Sequence, residues 1–239
     1  MKALLAHLRL ELAVLSRNGE SLLLTMGIPV LLLAFFSKVD VLGIKGKPIT
    51  VLAPGVISLA ILSTSLVNLA IGTGFEREYG VLKRLGSTPL GRPRLLAAKT
   101  MAIGVVEVIQ VIVLWLLALA LGWHPAVHVV GVVAAILLGT VACAGLGLCL
   151  AGSLKALVTL AAANGLYLVL LLLSGMIIPL TKLPGAVQGF AKALPSGALA
   201  EAVRGSLSKA GHVPGHAWMV LVIWAIATPA LATRLFRWE

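Results

Sequence analysis

The fold of this chain is decided by the segment FEREYGVLKRLGSTPLGRP, residues 75–93, a charged connection between two long apolar runs. Its charged residues are Glu76, Arg77, Glu78, Lys83, Arg84 and Arg92. The chain has 239 residues, of which 60% are hydrophobic and 11% are charged. Soluble domains carry about 25% charged residues, so this composition indicates a protein built for lipid. The segment must therefore lie in water at a membrane surface, between two transmembrane helices.

Working outward from this segment, six apolar stretches approach the roughly 20 residues that a membrane-spanning helix needs. They are residues 21–37, 50–75, 94–121, 127–151, 156–175 and 216–233. Before them, residues 2–20 repeat leucine at helical spacing, with charged residues on the other faces. The leucines are Leu4, Leu5, Leu8, Leu12 and Leu15, and the charged residues are Lys2, Arg9, Glu11 and Arg17. This pattern predicts an amphipathic helix in the membrane interface. We expect an all-α membrane protein with one domain over residues 1–239.

The charge pattern orients the chain. The net charge is +11, from 19 basic and 8 acidic residues. Five basic residues lie in the short connection around residues 76–94: Arg77, Lys83, Arg84, Arg92 and Arg94. Basic loops stay on the cytoplasmic side, facing an anionic leaflet. We therefore expect both termini in the cytoplasm, membrane lipid as a partner and no nucleic-acid partner.

The longest connection covers residues 176–213 and is unusually apolar. Pro179, Pro184 and Pro195 interrupt it, so it cannot form one continuous helix. Residues 185–194 and 197–207 are helix-compatible and amphipathic. We expect residues 176–207 to form short, re-entrant-like helices that dip into the outer leaflet and pack on the bundle. The alternative is a plain extracytoplasmic loop.

No catalytic signature is present. The sequence lacks the G-x-x-x-x-G-K-[ST] phosphate loop, G-x-S-x-G and H-E-x-x-H. The histidine pairs His124/His128 and His212/His216 each enclose a proline, so neither is a clean helical metal pair. We expect no enzyme activity, no metal and no cofactor in this chain.

The charged segment itself has two interpretations. A short helix from Glu76 to Leu85 would gather its charges on one face and place Tyr79, Leu82 and Leu85 in an exposed apolar ridge, ending at Gly86. Such a ridge suits insertion into a groove of a partner protein. The alternative is an ordinary solvated loop.

A family resemblance bears on this choice. The segment EREYGVLKRLGSTPLGRPRLLAAKT resembles the signature of type-2 ABC exporter permeases. The matching residues are Glu76, Glu78, Gly80, Leu82, Leu85, Thr88, Pro89 and Lys99. A second match is SGMIIPLTKLPGAVQGFAKALPSGALAEAVRG, residues 174–205. The nearest resemblance is to the bacterial drug-export branch that includes daunorubicin-resistance permeases.

The resemblance implies a mechanism. Residues 76–89 would be a cytoplasmic coupling helix seated in a separate ATPase subunit, which would hold ATP and Mg²⁺. The coupling residues would be Glu76, Arg77, Glu78, Tyr79, Gly80, Leu82, Leu85, Thr88 and Pro89. Two permease chains, identical or different, would face each other in a bacterial inner membrane and bind two ATPases. They would export an amphiphilic or hydrophobic substrate, such as a drug, antibiotic, lipid or glycolipid.

Glu107 is an acidic residue near the middle of the third apolar stretch, with Gln110 on the same helical face. A buried acid needs a partner or a cavity. One hypothesis places Glu107, Gln110, Asn68 and Asn164 along the substrate path. The other makes Glu107 a structural hydrogen-bonding group, with Asn68 or Asn164 as its partner. A different class of function also remains open, an ion- or proton-coupled secondary transporter that uses Glu107.

Small residues in the fourth stretch predict close helix packing. They are Gly139, Ala142, Ala144, Gly145 and Gly147.

Overall fold

The computed structural model describes residues 2–17, 19–38, 48–86, 91–176 and 185–236, and its regular elements there are all helical. The helices are α1 (Lys2–Arg17), α2 (Gly19–Lys38), α3 (Ile49–Leu62), a π-helical segment (Ser63–Asn68), α4 (Leu69–Glu78), α5 (Val81–Gly86), α6 (Arg92–Ala120), α7 (Val129–Ser153), α8 (Ala156–Leu173), α9 (Gly185–Ala193), α10 (Pro195–Ser206) and α11 (Gly215–Leu235). The prediction of an all-α protein is confirmed.

Five helices in the described residues are long and apolar enough to cross a membrane. They are Ile49–Glu78, Arg92–Ala120, Val129–Ser153, Ala156–Leu173 and Gly215–Leu235. They coincide with the second to sixth predicted spans. The first predicted span lies in α2, in which the apolar stretch found among the described residues is Thr25–Lys38. The architecture is therefore five clear spans and a sixth apolar helix, roughly as predicted.

The helix Ile49–Glu78 is the centre of the bundle. It consists of α3, the π-helical segment and α4 in one continuous run of 30 residues. In its most apolar window, 83% of the residues are buried, against 39% or less in the other four spans. Helices α2, α6, α7, α8 and α10 pack against it.

Close packing of α7 was predicted from its small residues, and the structure confirms it. A Cβ atom on Gly147 would lie 2.6 Å from the carbonyl oxygen of Leu66, in the π-helical segment. A Cβ atom on Gly145 would lie 2.8 Å from the backbone nitrogen of Pro229 in α11. Both distances are below van der Waals contact, so only glycine allows these backbones to approach so closely.

The connection before the last span contains the two predicted short helices, α9 and α10. The expectation of packing on the bundle is confirmed for α10, because nearly all of its residues are buried against α3, α7 and α11. The hydroxyl of Ser196 donates to the carbonyl of Leu170 at 3.0 Å, which fixes the start of α10 on α8. Residues 177–184 of the predicted segment lie outside the described residues.

The N-terminal amphipathic helix is present as α1, and Glu11, which the sequence pattern places off the leucine face, lies on the face that packs against the bundle. His7 and Glu11 are buried against the bundle, whereas Leu5, Leu10 and Val14 are about half exposed. The reason is a tertiary contact: α1 packs against the N-terminal part of α6, where Glu11 pairs with the buried ammonium group of Lys99.

Candidate functional site

The charged segment does not form one helix from Glu76 to Leu85, and this prediction was wrong. The central span continues to Glu78, so Glu76, Arg77 and Glu78 belong to the end of α4. Gly80 then adopts a left-handed backbone conformation with φ of 71°, which ends the helix. The short helix α5 follows. Two further residues of the predicted coupling set, Thr88 and Pro89, lie outside the described residues.

The predicted exposed ridge of Tyr79, Leu82 and Leu85 is also wrong. Leu82 is fully buried, in a cluster that includes Leu69 and Leu95, and Leu85 packs partly against the same cluster. Tyr79 points outward and is 72% exposed. The 79–86 segment is therefore anchored by Leu82 and presents Tyr79 and its other exposed side chains to the surroundings. Helical periodicity alone cannot distinguish the buried Leu82 from the exposed Tyr79, because residues that bury Leu82, such as Leu69 and Leu95, lie outside the segment.

Beneath this segment lies an ionic cluster, defined here as His7, Glu11, Glu76 and Lys99. The ammonium nitrogen of Lys99 is 2.7 Å from Oε1 of Glu11 and 2.6 Å from Oε2 of Glu76. Nε2 of His7 is 3.0 Å from the same Glu11 oxygen. The side chain of Lys99 is only 1% exposed. The cluster therefore joins α1, the end of α4 and the base of α6 through one buried cation.

The charge state of Glu11 follows from this geometry. Burial opposes the charged carboxylate, but the hydrogen bond with His7 and the positive charge of Lys99 outweigh that cost. The pKa of Glu11 consequently lies below its ordinary value of 4.5. Glu11 is thus a carboxylate at neutral pH, as an ion pair with Lys99 requires.

A second contact fixes the end of α4. The guanidinium of Arg77 donates to the carbonyl of Ala151 at 3.0 Å, near the end of α7. The end of the central span is therefore tied to α1 and α6 on one side and to α7 on the other. A force applied to the 79–86 segment would reach four helices through these contacts.

The polar residues of the membrane interior form a separate cluster. Glu107 is fully buried and accepts a hydrogen bond from the hydroxyl of Thr140 in α7. The side-chain amide of Gln110 donates to the carbonyl of Thr25 at 2.7 Å, and its oxygen accepts from Thr64 at 3.0 Å. These bonds link α6 to α2, to the π-helical segment and to α7.

The two predicted asparagines lie elsewhere. Asn68 and Asn164 both line a groove of about 1020 Å³ between the first two helices, the central span and α8. Asn164 donates to the carbonyl of Leu160 in its own helix at 2.9 Å. Glu107 and Gln110 are not among the groove residues. The structure thus divides the predicted substrate-path set into a pair that lines the groove, Asn68 and Asn164, and a buried pair, Glu107 and Gln110.

The groove also reaches the ionic cluster. Glu11, Glu76 and Lys99 lie at one end of its lining, beside Phe75 and Tyr79. Apolar residues form most of the remaining wall, including Ile28, Leu59, Val67, Ile71 and Leu160. The Glu78 end of the central span therefore carries an exposed turn at Tyr79, the ionic cluster and one end of the amphipathic groove.

In a comparison with protein-family models, a family described as ABC-2 type transporter matches residues 3–207. This chain belongs to the ABC-2 type transporter family. None of the curated proteins compared with it matches the sequence. As a member, it is a multi-pass membrane protein and the membrane-spanning component of an ABC transporter, a family whose permeases work with an ABC ATPase. ATP chemistry is not a task of this component.

Within this ABC-2 type transporter, sequence reasoning missed the ionic cluster. Glu11 and Lys99 are 88 positions apart, so no local pattern connects them. One signal was available: Lys99 lies several residues inside a long apolar helix, where a charge needs a partner. Glu11, on the leucine-rich helix, was the complementary signal.

Proposed function

We propose that this chain is the permease subunit of an ATP-driven exporter in a bacterial inner membrane, with both termini in the cytoplasm. Two permease chains and two copies of a separate ABC ATPase would form the transporter. The substrate would be amphiphilic or hydrophobic, such as a drug, antibiotic, lipid or glycolipid, and would leave the cytoplasm or the inner leaflet.

The observation that carries this proposal is the way the 79–86 segment is built into the molecule. It follows directly on the buried central span, is anchored by Leu82 and lies over the ionic cluster. A partner that moves this segment would therefore move α4, and with it α1 and α6. A solvated loop without anchoring contacts would not transmit such a displacement. This geometry favours the contact surface of an ATPase over a plain connecting loop.

The groove supports the transport part of the proposal. Its volume of about 1020 Å³ is at the upper end of the 300–1,000 Å³ typical of small-molecule sites. Its lining is mainly apolar, with the polar side chains of Asn68 and Asn164 along it. This combination suits an amphiphile. Because α4 forms part of the wall, motion of the 79–86 segment would change the shape of the groove.

The proposal is tested by isolating the tagged chain from native membranes and identifying co-purifying ABC ATPases by mass spectrometry. We expect an ABC ATPase in stoichiometric amount with the wild type and much less with Tyr79→Asp, because Tyr79 is the most exposed large hydrophobic side chain of the segment. His212→Asp is the control, since His212 is exposed in a loop at the opposite end of the bundle. Purification of the wild type without any ABC ATPase would contradict the proposal.

The alternative of a proton-coupled transporter depends on Glu107. Its carboxylate is fully buried and bonded to Thr140, away from the groove residues. An exporter that uses this residue structurally should keep ATP-dependent transport, independent of a proton gradient, in Glu107→Gln. Transport by the chain alone, driven by a proton gradient and lost in this variant, would favour the alternative.

A further inference from the structure

The charge lining the groove is unbalanced. Three charged residues line it among those the structure describes: Glu11, Glu76 and Lys99. The two acidic side chains share the single ammonium group of Lys99. Acidic side chains therefore outnumber basic ones in the described lining of the groove.

The negative charge is also the accessible one. The side chain of Glu76 is 25% exposed, that of Glu11 is 11% exposed, and that of Lys99 is 1% exposed. Lys99 thus lies behind the two carboxylates, and a molecule in the groove meets Glu76 first. Arg77, the next residue along the chain, does not line the groove, because its guanidinium donates to Ala151.

Aromatic rings stand beside this carboxylate. Phe75 and Tyr79 both line the groove and stack with their ring centroids 6.0 Å apart. Tyr167 contributes a third ring from the α8 side. The face of an aromatic ring carries negative electrostatic potential and attracts cations. The carboxylate of Glu76 and the aromatic rings therefore both favour a positively charged ligand.

From this arrangement we infer that the groove selects cationic amphiphiles, with the positive group beside Glu76 and the apolar body along Val67, Ile71 and Leu160. This inference rests on the proposed transport function and adds the substrate class. An anionic amphiphile of the same shape would place its charge against Glu76 without reaching Lys99. A neutral amphiphile would gain the apolar contacts alone.

The test uses two probes of nearly equal size and opposite charge, tetraphenylphosphonium and tetraphenylborate. Their binding to the purified transporter in lipid nanodiscs is measured by equilibrium dialysis, with empty nanodiscs subtracted. We expect the cation to bind more tightly to the wild type, and Glu76→Gln to weaken cation binding about fivefold, as expected for loss of one partly exposed charge pair. Glu76→Asp should retain the preference.

Glu201→Gln is the matched control. Its Oε2 lies 2.7 Å from Nε2 of His216, and its side chain is 19% exposed, but Glu201 does not line the groove. Leu160→Trp provides an independent test that leaves the ionic cluster intact. A larger ring in the groove wall should weaken binding of the cation with little effect on ATPase co-purification.

Three results would overturn the inference: equal or tighter binding of tetraphenylborate to the wild type, an equal loss in Glu201→Gln and Glu76→Gln, or unchanged binding in Leu160→Trp. A fourth is absence of probe binding together with disulfide cross-linking of two Leu160→Cys chains, which would make the groove an interface between copies. ATPase co-purification from the same preparations separates these failures from failure of the proposed function itself.

Discussion

Lys99 is the residue on which the base of the bundle depends. It neutralises two carboxylates from two different helices while being almost fully buried. A buried cation of this kind adds little stability compared with an apolar residue, but its removal leaves its partners without compensation. The ionic cluster is therefore more sensitive to loss of Lys99 than to loss of either acid.

The first prediction concerns this residue. Lys99→Met should destabilise the protein by about 3–5 kcal/mol, because Glu11 and Glu76 would lose the buried cation that they share. Arg94→Met, which removes an exposed charge from the same helix, should have little effect. Thermal unfolding in detergent, followed by fluorescence-detected size-exclusion chromatography, measures both. Equal melting temperatures for the two variants would contradict the assignment of Lys99 as the buried centre of the cluster.

The second prediction is a pH dependence. The folded-state pKa of Glu11 lies below its ordinary value of 4.5, so its charged form stabilises the folded protein. This stabilisation is fully present above the unfolded-state pKa and is lost as the pH falls through the folded-state pKa. The wild type should therefore melt at a higher temperature than Glu11→Gln at pH 7, and the difference should shrink below about pH 4.5. A melting-temperature difference that grows on acidification would show that the charged form of Glu11 does not stabilise the folded protein.

At the scale of helices, the close contact between α7 and the central span depends on Gly147. A Cβ atom there would lie 2.6 Å from the carbonyl oxygen of Leu66, and that oxygen is backbone and cannot rotate away. The contact lies in the π-helical segment, which is the irregular part of the central span. The glycine thus allows α7 to pack against the one turn of that span whose geometry departs from an α-helix.

The third prediction follows from this contact. Gly147→Ala should destabilise the fold by about 1–3 kcal/mol through overpacking. Gly104→Ala is the control, since a Cβ atom there would meet nothing within 4 Å. That change should be neutral or slightly stabilising, because alanine favours a helix over glycine. Thermal unfolding of both variants checks the contrast, and a neutral Gly147→Ala would mean that the two helices are further apart.

The same scale shows what could be predicted from the sequence. The long apolar runs predict the five clear spans, because hydropathy is sufficient to identify helices that cross a membrane. The boundary at Glu78 was missed because Glu76 continues the central helix into an ion pair with Lys99, a contact made in the folded molecule. Leu82 was assigned to a surface for the same reason. Its burial depends on packing partners such as Leu95 that no periodicity within residues 76–89 contains.

At the scale of the whole molecule, the number of membrane crossings sets the side on which each end of the chain lies. Five spans place the two ends of the chain on opposite sides of the membrane, and six place them on the same side. The helix α2 decides between these arrangements. It has 20 residues, which corresponds to about 30 Å of helix and matches the hydrocarbon thickness of a bilayer. Its sequence from Ser21 to Ser37 carries no charged residue, as a membrane span requires.

The last prediction tests this parity. The two native cysteines, Cys143 and Cys149, are both buried, so single exposed cysteines can be added after replacing them with alanine. If α2 crosses the membrane, Arg9→Cys, Lys155→Cys and Arg234→Cys should react with a membrane-impermeant maleimide only after cells are permeabilised. Lys209→Cys, in the loop before α11, should react in intact cells. Reaction of Arg9→Cys in intact cells, with Arg234→Cys still protected, would leave α2 on the membrane surface and the protein with five spans.

That result would also place the ionic cluster, which needs α1 beside the end of α4, on two different sides of the membrane. Because Glu11 and Glu76 contact the same Lys99 nitrogen, the structure is compatible only with α1 and the 79–86 segment on one side.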